Sequence, residues 1–437
     1  HTKEVSAVRG REIGLHLIAL FVVAVILLLS VPGTIFASDY EPLPGILDPE
    51  DVDFGGRTVT IIRGGLPDEE RMAAAKELFN VELEALRLEG ADQIIARIMA
   101  GDSKLDTIRM PHRQGYFTLV SSGYLMPVGD ILPPEHYDAL SVADRYTIDK
   151  LQYMGKYYGF GSHHGLHNGS MMLMAYNKTI LEQNNQPDPY ELWLAGEWTL
   201  DIFEEIAFAV TQDTNGDGVI DQFGMTDIAN ATAFYRIAPA NGVEIVRVEP
   251  DGRYVFNYDS VAAIEMLNRV YKWRHELQFT GGNFDQGTAA FTTTHLAGIR
   301  HAKANGIDYG LVSYPKGPHA DRYYYPVFEF WMMMLPVNAE MPEELMALGC
   351  FLYREEDTYA DLDFRINEYM NTKEHAELYM AAIESWRGEG DMFQNTELWT
   401  ICNNPVSDVI NGRKGAAAAM DEIRQVAQSF LDDLFGQ

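Results

Sequence analysis

Cysteine is nearly absent: Cys350 and Cys402 are the only two in 437 residues. Two cysteines in so long a chain make no disulfide framework, so the fold has to rest on its hydrophobic interior, with both expected as free, buried thiols. Basic residues are scarce as well, 33 Lys and Arg against 64 Asp and Glu, a formal net charge of −31. A surface that acidic repels phosphate backbones and anionic lipid, which argues against nucleic acid as a partner. It suits neutral or cationic ligands, and a plain solvated acidic surface explains it equally well. There is no glycine loop of the phosphate-cradling kind, no zinc quartet and no convincing nucleophile–base–acid set. Paired acids such as Glu204-Glu205 lie in a helical stretch and prove nothing. No internal repeat is found. What is plentiful is apolar material, 47% hydrophobic and 11% aromatic residues. The chain is too long for one ordinary core and suits two sizeable lobes.

The amino-terminal region reads as an export signal or an anchor, residues 1–37. Lys3, Arg9 and Arg11 precede an uncharged run from Leu17 to Leu29, followed by Val31-Pro32-Gly33 and the small residues Ala37 and Ser38. That is a basic region, an apolar region and a cleavage site after Ala37. The run is shorter than the ~20 residues that span a bilayer comfortably. Because the first residue is His1 and not Met, the start of the chain is expected further upstream.

Beyond a proline-rich acidic stretch at 41–49, regular alternation begins. Residues 57–62 are β-branched and read as a strand, 69–79 as a helix, 81–86 as a strand, 91–99 as a helix and 105–110 as a strand ending at Pro111. Strand–helix–strand spacing of this kind predicts parallel pairing with crossover helices. Ligands of such sheets sit beyond the carboxyl ends of the strands, here at Gly64-Gly65 and at Pro111-His112-Arg113-Gln114. A second α/β region follows, with a helix over 199–210, a turn at Asn241-Gly242, a long amphipathic helix over 261–277 and a strand over 309–314. The remainder is largely helical, notably 343–353 and 415–434.

Several phrases then fall in a telling order: Ile98-Met99-Ala100-Gly101, Leu105-Asp106-Thr107-Ile108, Gly123-Tyr124-Leu125-Met126-Pro127, Gly155-Lys156-Tyr157-Tyr158-Gly159-Phe160, Ala175-Tyr176-Asn177-Lys178, Glu197-Trp198-Thr199, Gln222-Phe223-Gly224, then Phe284, Gly287, Ala290, and Tyr309-Gly310 with Pro315-Lys316-Gly317-Pro318. Each is short and degenerate; together, from about Arg57 onward, they resemble family 1 extracellular solute-binding proteins, the family of the maltose-binding protein. The resemblance implies a periplasmic-binding-protein-like type II fold: two α/β lobes around a hinged ligand cleft, lobe one at 39–160 and 311–352, lobe two at 161–310 and 353–437. It implies the carbohydrate-binding component of an ABC importer, exported, monomeric, partnered by membrane permease subunits, and neither catalytic nor dependent on a cofactor. The sequence departs from the family's lipid-anchored members in having no cysteine near the cleavage site.

A sugar site needs flat apolar faces and planar polar groups. Phe328-Glu329-Phe330-Trp331 sits where the resemblance returns the chain to lobe one, which makes Glu329, Phe330 and Trp331 candidates, with core filling as the alternative for the rings. Trp198 opens a helix and is expected in the core. His163, His164, His167 and Asn168 form the most unusual phrase, a glycine-bearing loop at the expected cleft mouth. Three close histidines suit a transition metal, but no Glu stands between them and a glycine-rich loop does not fix ligand geometry, so contact with ligand or solvent is the favoured reading. Gly65, Arg109, His112, Arg113 and Gln114 lie at strand ends, and two arginines there suit a carboxylate, which keeps an acidic sugar open. Asn230, Thr232, Thr294 and His295 are the lobe-two candidates. Finally, Asp213, Asn215, Asp217, Val219 and Asp221 occupy positions 1, 3, 5, 7 and 9 of an EF-hand-like loop whose twelfth position is Gly224 in place of glutamate, so a weak structural calcium site is expected, against a plain Asp/Asn/Gly turn. Two other functions stay open: a secreted carbohydrate hydrolase using Glu329 and a second acid, and a membrane-tethered sensor or adhesin.

Overall fold

The computed structural model describes residues 40–437 other than 63–65, 68, 89, 103–104, 161–169, 354–368, 371, 389, 391 and 394–395. Its strands, in chain order, are β1 (Thr58–Ile62), β2 (Glu82–Leu86), β3 (Thr107–Pro111), β4 (Gly159–Phe160), β5 (Met172–Asn177), β6 (Phe223–Met225), β7 (Val246–Val248), β8 (Tyr254–Phe256), β9 (Ala289–His295), β10 (Tyr309–Val312) and β11 (Trp331–Met334). They make two main sheets, of order β2-β1-β3-β11-β4 and β10-β5-β9-β6, plus the hairpin β7-β8.

The first sheet starts as the alternation predicts. β1 pairs parallel with β2 and with β3, and helices Glu69–Leu78 and Ala91–Met99 supply the crossovers. Thr58-Val59-Thr60-Ile61-Ile62 is β-branched throughout and buried over its last four residues, which fits a strand covered on both faces. Its core gathers Val59, Ile61, Phe79 and Phe160 with Leu345 and Phe351 from the helix Pro342–Leu352, so a segment near residue 350 completes a lobe begun near residue 58.

The second sheet is built around β5, buried at all six positions between β10 and β9. Against it packs an aromatic group from three segments: Trp198 and Phe203, Trp273, and Phe291, with ring centroids 5.3–6.1 Å apart. The helices that deliver these rings are capped as their sequences dictate. Thr199 Oγ accepts the Ile202 N–H at 3.3 Å, and Ser260 Oγ accepts that of Ala263 at 3.3 Å, each satisfying an otherwise orphaned helix donor. The C-terminal helices Glu397–Ile410 and Ala416–Phe435 cover the same lobe.

One boundary moves. The chain was expected to re-enter lobe one at 311, but β10 pairs antiparallel with β5 of the second sheet. Residues beyond β10 stay there too: Lys316 N–H donates to Trp198 O at 3.0 Å, and Gly317 N–H to Ala240 O at 2.8 Å. Return to the first sheet comes at β11, antiparallel to β3 and β4. The Pro-Lys-Gly-Pro phrase at 315–318 marks a turn locked onto lobe two, and local turn chemistry does not say which sheet a turn serves.

Neither cysteine forms a disulfide; both are buried, and burial pushes the Cys350 thiol up to about 12. Among the described residues no helix is long and apolar enough to cross a membrane; residues 1–37 lie outside them.

Acid is expected to weaken this fold through His375. Its ring is buried, stacked on Tyr309 at 5.3 Å and 12°, on a helix capped by Thr372. Burial, aided by Lys178, lowers its pKa from 6.5 to about 4. The unfolded chain therefore takes up a proton near pH 6.5 that the folded chain refuses until about pH 4. Stability present above pH 6.5 is lost as pH falls through that window, on the order of 3 kcal/mol in all. Melting temperature followed from pH 7 to 4 should show this fall, flattened in His375→Phe; an unflattened curve in the variant would rule the histidine out as its source.

Candidate functional site

Two crossing segments lie side by side between the sheets. Phe328 N–H donates to Ser170 O at 2.9 Å and Met172 N–H to Pro326 O at 2.6 Å, while Val327 bridges both Met171 and Gly390. Two residues further along, Phe330 is tied to the other lobe: its carbonyl accepts the His112 N–H at 2.8 Å and its own N–H donates to His112 Nδ1 at 3.0 Å. With Nδ1 accepting, the neutral imidazole carries its proton on Nε2. Residues 326–330 are thus pinned to lobe two at one end and to lobe one at the other. A few residues held this way are where a rotation between lobes concentrates.

The turn after β3 owes its shape to Gly115. Its φ is +116°, and a Cβ there would stand 2.5 Å from Ala91 Cβ. Only glycine takes that conformation at that distance, and the turn so formed brings Arg113 to the hinge. Arg113 Nε donates to Glu329 Oε2 at 2.6 Å, and Trp331 Nε1 donates to Glu329 Oε1 at 2.8 Å. The Arg113 guanidinium also lies over the Phe328 ring at 5.0 Å. Arg236, from the helix Ala231–Ile237 of lobe two, lies over Phe328 at 5.5 Å, and His295 stacks on the same ring at 5.8 Å. Arg109 lies 4.7 Å from the Trp331 ring centroid and 4.3 Å from that of Tyr353, and burial lowers its pKa. The seam therefore carries a row of aromatic faces and guanidinium groups with the Glu329 carboxylate set among them.

On the lobe-two side this row opens into a pocket of about 50 Å³, lined among others by Thr232, Tyr235, Arg236, Tyr258, Phe328 and Trp399. Trp399 packs on Tyr235 with centroids 3.8 Å apart, and Tyr235 stacks on Tyr258 at 5.6 Å and 25°, so three rings form one wall. Glu244 lies at its margin, ion-paired with Lys150 of lobe one and accepting the Gly390 N–H. Such a volume holds a few waters and no sugar ring, so admitting a solute requires the lobes to part. An adjoining space of about 290 Å³ continues past Glu244 between Tyr146 and Lys150 of one lobe and Tyr254 of the other.

The structure draws together Arg113, Glu329, Trp331, His295 and Thr232 around Phe328. His112 and Phe330 are also at the seam, but both are fully buried and engaged with each other, Phe330 against Trp386 besides. Gln114 adjoins them with a buried Oε1 that accepts no hydrogen bond among the described residues. Asn230 caps its helix, its side chain accepting the Ala233 N–H at 3.1 Å. Thr294 Oγ1 donates to the His295 carbonyl at 3.1 Å. Trp198 is a core residue, its Nε1 donating to Ser313 O at 3.0 Å. Gly65, His163, His164, His167 and Asn168 lie outside the described residues.

Sequence reasoning missed Arg236, Tyr235, Trp399 and Glu244. Arg236 had a usable signal, since it stands one helical turn beyond Thr232, at i+4 on the same face. Trp399 had a weaker one, a tryptophan in the first turn of a helix capped by Thr396.

The Asp213–Asp221 loop is held by its own side chains. Asp213 accepts backbone N–H groups of Asn215, Gly216 and Gly218, Asp217 accepts that of Val219, and Asp221 accepts the Thr214 N–H and hydroxyl and the Asn215 amide. These donors hold the Asp213 and Asp221 carboxyls below the usual range. No group of three or more His, Cys, Asp or Glu side chains able to hold a metal occurs among the described residues.

Residues 70–360 match the sequence profile of a family described as bacterial extracellular solute-binding protein. No curated protein matches the chain. Among solved structures, an ABC substrate-binding protein from Listeria monocytogenes, in complex with cycloalternan, superposes with a TM-score of 0.62 at 14% identity, over 87% of this chain and 99% of that one. A cyclo/maltodextrin-binding protein complexed with maltotetraose gives 0.62 at 17%, over 90% and 99%. The maltose/maltodextrin-binding domain MalE from Bdellovibrio bacteriovorus, bound to maltotriose, gives 0.58 at 17%, over 86% and 100%. The fold is thus the two-lobed type II arrangement of periplasmic binding proteins.

Proposed function

The chain belongs to the bacterial extracellular solute-binding protein family, and from that premise we propose that it is the exported binding component of an ABC importer, which captures a carbohydrate in the interlobe cleft and hands it to membrane permease subunits. The observation that carries this reading is the seam: a hinge at residues 326–330 flanked by aromatic faces and by planar donors and acceptors, the two kinds of group a pyranose requires. The sugars bound by structures of the same fold support it. Solute entering between the lobes makes contacts with both, and only the closed state realises them all, so binding shifts the population towards closure.

Hydrolysis is the weaker reading. A general acid must present an O–H to the glycosidic oxygen, whereas both oxygens of Glu329 already accept N–H donors, from Arg113 and Trp331. Delivery without chemical change, by a monomer on the outer side of the membrane, is the function proposed.

A thermal-shift screen against neutral and acidic mono- and oligosaccharides tests it. A solute at a hundredfold excess over its dissociation constant should add ~2.7 kcal/mol of stability, and the sugar should be recovered unaltered after prolonged incubation. Appearance of cleaved product, or no stabilisation by any saccharide, would overturn the proposal.

A further inference from the structure

Arg236 differs from Arg113 and Lys150 at the seam in having no carboxylate in ion-pair distance among the described residues. Arg113 is paired with Glu329 and Lys150 with Glu244, while the Arg236 guanidinium lies over the Phe328 ring and near the buried Tyr314 hydroxyl, and its buried Nε has no hydrogen-bond partner among the described residues. With 64 acidic residues against 33 basic ones, a guanidinium without a carboxylate is conspicuous. Its place in the last turn of the helix Ala231–Ile237 lets the helix dipole favour the charge, but leaves the Nε donor unused. A buried donor left without an acceptor carries a desolvation cost, relieved when a bound group supplies one. Arg109 extends the pattern: its guanidinium lies between Trp331 and Tyr353, with no carboxylate in ion-pair distance among the described residues. Along the seam, then, among the described residues, four cations (Arg109, Arg113, Arg236 and Lys150) meet two carboxylates, Glu329 and Glu244, in a chain whose overall balance is the reverse.

Resting on the carbohydrate reading, we propose that the captured solute is acidic: a uronate-type saccharide whose ring carboxylate pairs with Arg236 while the ring lies against Trp399 and Tyr235. The planar fork of arginine matches a carboxylate with two parallel N–H···O bonds, and the Phe328 ring lies 5.5 Å from the guanidinium carbon. The remote acidic surface does not defeat this, because a Debye length of about 8 Å at physiological salt screens charges beyond the immediate site.

Isothermal titration of the full chain with uronate di- and trisaccharides (galacturonate, glucuronate, mannuronate), their carboxyl-reduced neutral counterparts and a sulfated disaccharide decides the matter. At least one uronate should bind tenfold or more tighter than its neutral counterpart. Arg236→Met should lose ten- to a hundredfold for the uronate and change little for the neutral sugar, Arg236→Lys should recover part of the loss, and the melting temperature of unliganded Arg236→Met should stay within about 2 °C of the parent, as a residue outside the core allows. Equal affinity for the neutral counterpart, an unaffected Arg236→Met, or preference for the sulfate ester over every uronate overturns the acidic-solute inference and leaves carbohydrate capture standing. Binding of no saccharide of any class overturns both.

Discussion

Trp399→Ala is expected to weaken binding of the best saccharide ligand by roughly 30- to 300-fold with little change in the fold. The indole is the partly buried member of the Trp399–Tyr235–Tyr258 wall, its two partners being buried, and it lines the pocket directly. A sugar ring stacked on it would lose both its apolar face and the exclusion of water from neighbouring hydrogen bonds, and central aromatic anchors of this kind are worth 2 kcal/mol or more. At 1.4 kcal/mol per tenfold, that gives the stated range. Titration calorimetry on parent, Trp399→Phe and Trp399→Ala should show a graded loss, concentrated in the dissociation rate. An affinity within threefold of the parent in Trp399→Ala would place the sugar elsewhere along the seam.

Trp198→Ala should produce the largest loss of stability and no specific loss of binding below its melting point. The side chain is fully buried, stacked on Phe291 at 5.9 Å, edge-on to Phe203 at 6.1 Å, with its N–H on the Ser313 carbonyl at 3.0 Å. Alanine removes that apolar contact, leaves a cavity between the sheet and its helices, and takes the donor from a buried carbonyl. Such truncations cost about 3–5 kcal/mol, which for a lobe of this size lowers the melting temperature by ~10 °C. Calorimetry supplies the check, and a drop of less than 3 °C would mean that the lobe collapses around the cavity. The two tryptophans thus separate the lobe's core from its site, Trp198 affecting melting and Trp399 affinity.

The contrast also marks what the sequence could reveal. That Trp198 packs was readable, because Glu197-Trp198-Thr199 is a helix entrance: Thr199 caps, and the residue before a cap turns inward to begin the apolar face. Strand and helix bounds were readable for the same reason, hydrogen bonds within a crossover unit being local; the helices expected at 69–79, 261–277 and 415–434 are Glu69–Leu78, Val261–His275 and Ala416–Phe435. The re-entry into lobe one was misplaced near 311, because whether a short apolar run such as Tyr309–Val312 joins one sheet or the other depends on which edge is free, here that of β5. His112 was chosen for its position at a strand end, which was right about place, while its engagement with the Phe330 backbone depends on a segment 218 residues away.

By itself the sequence determined that the chain is acidic, without a disulfide framework, made of alternating strands and helices in two lobes, and like solute-binding proteins in the order of its phrases. Periodicity, capping and composition are properties of neighbouring residues and survive without any knowledge of the fold. Only the tertiary structure decided that Arg113 is neutralised by Glu329 across 216 positions while Arg236 is left facing an aromatic ring. Counterions, stacking partners and burial are set by which distant segments meet at the seam, and that meeting is fixed by packing of the two cores.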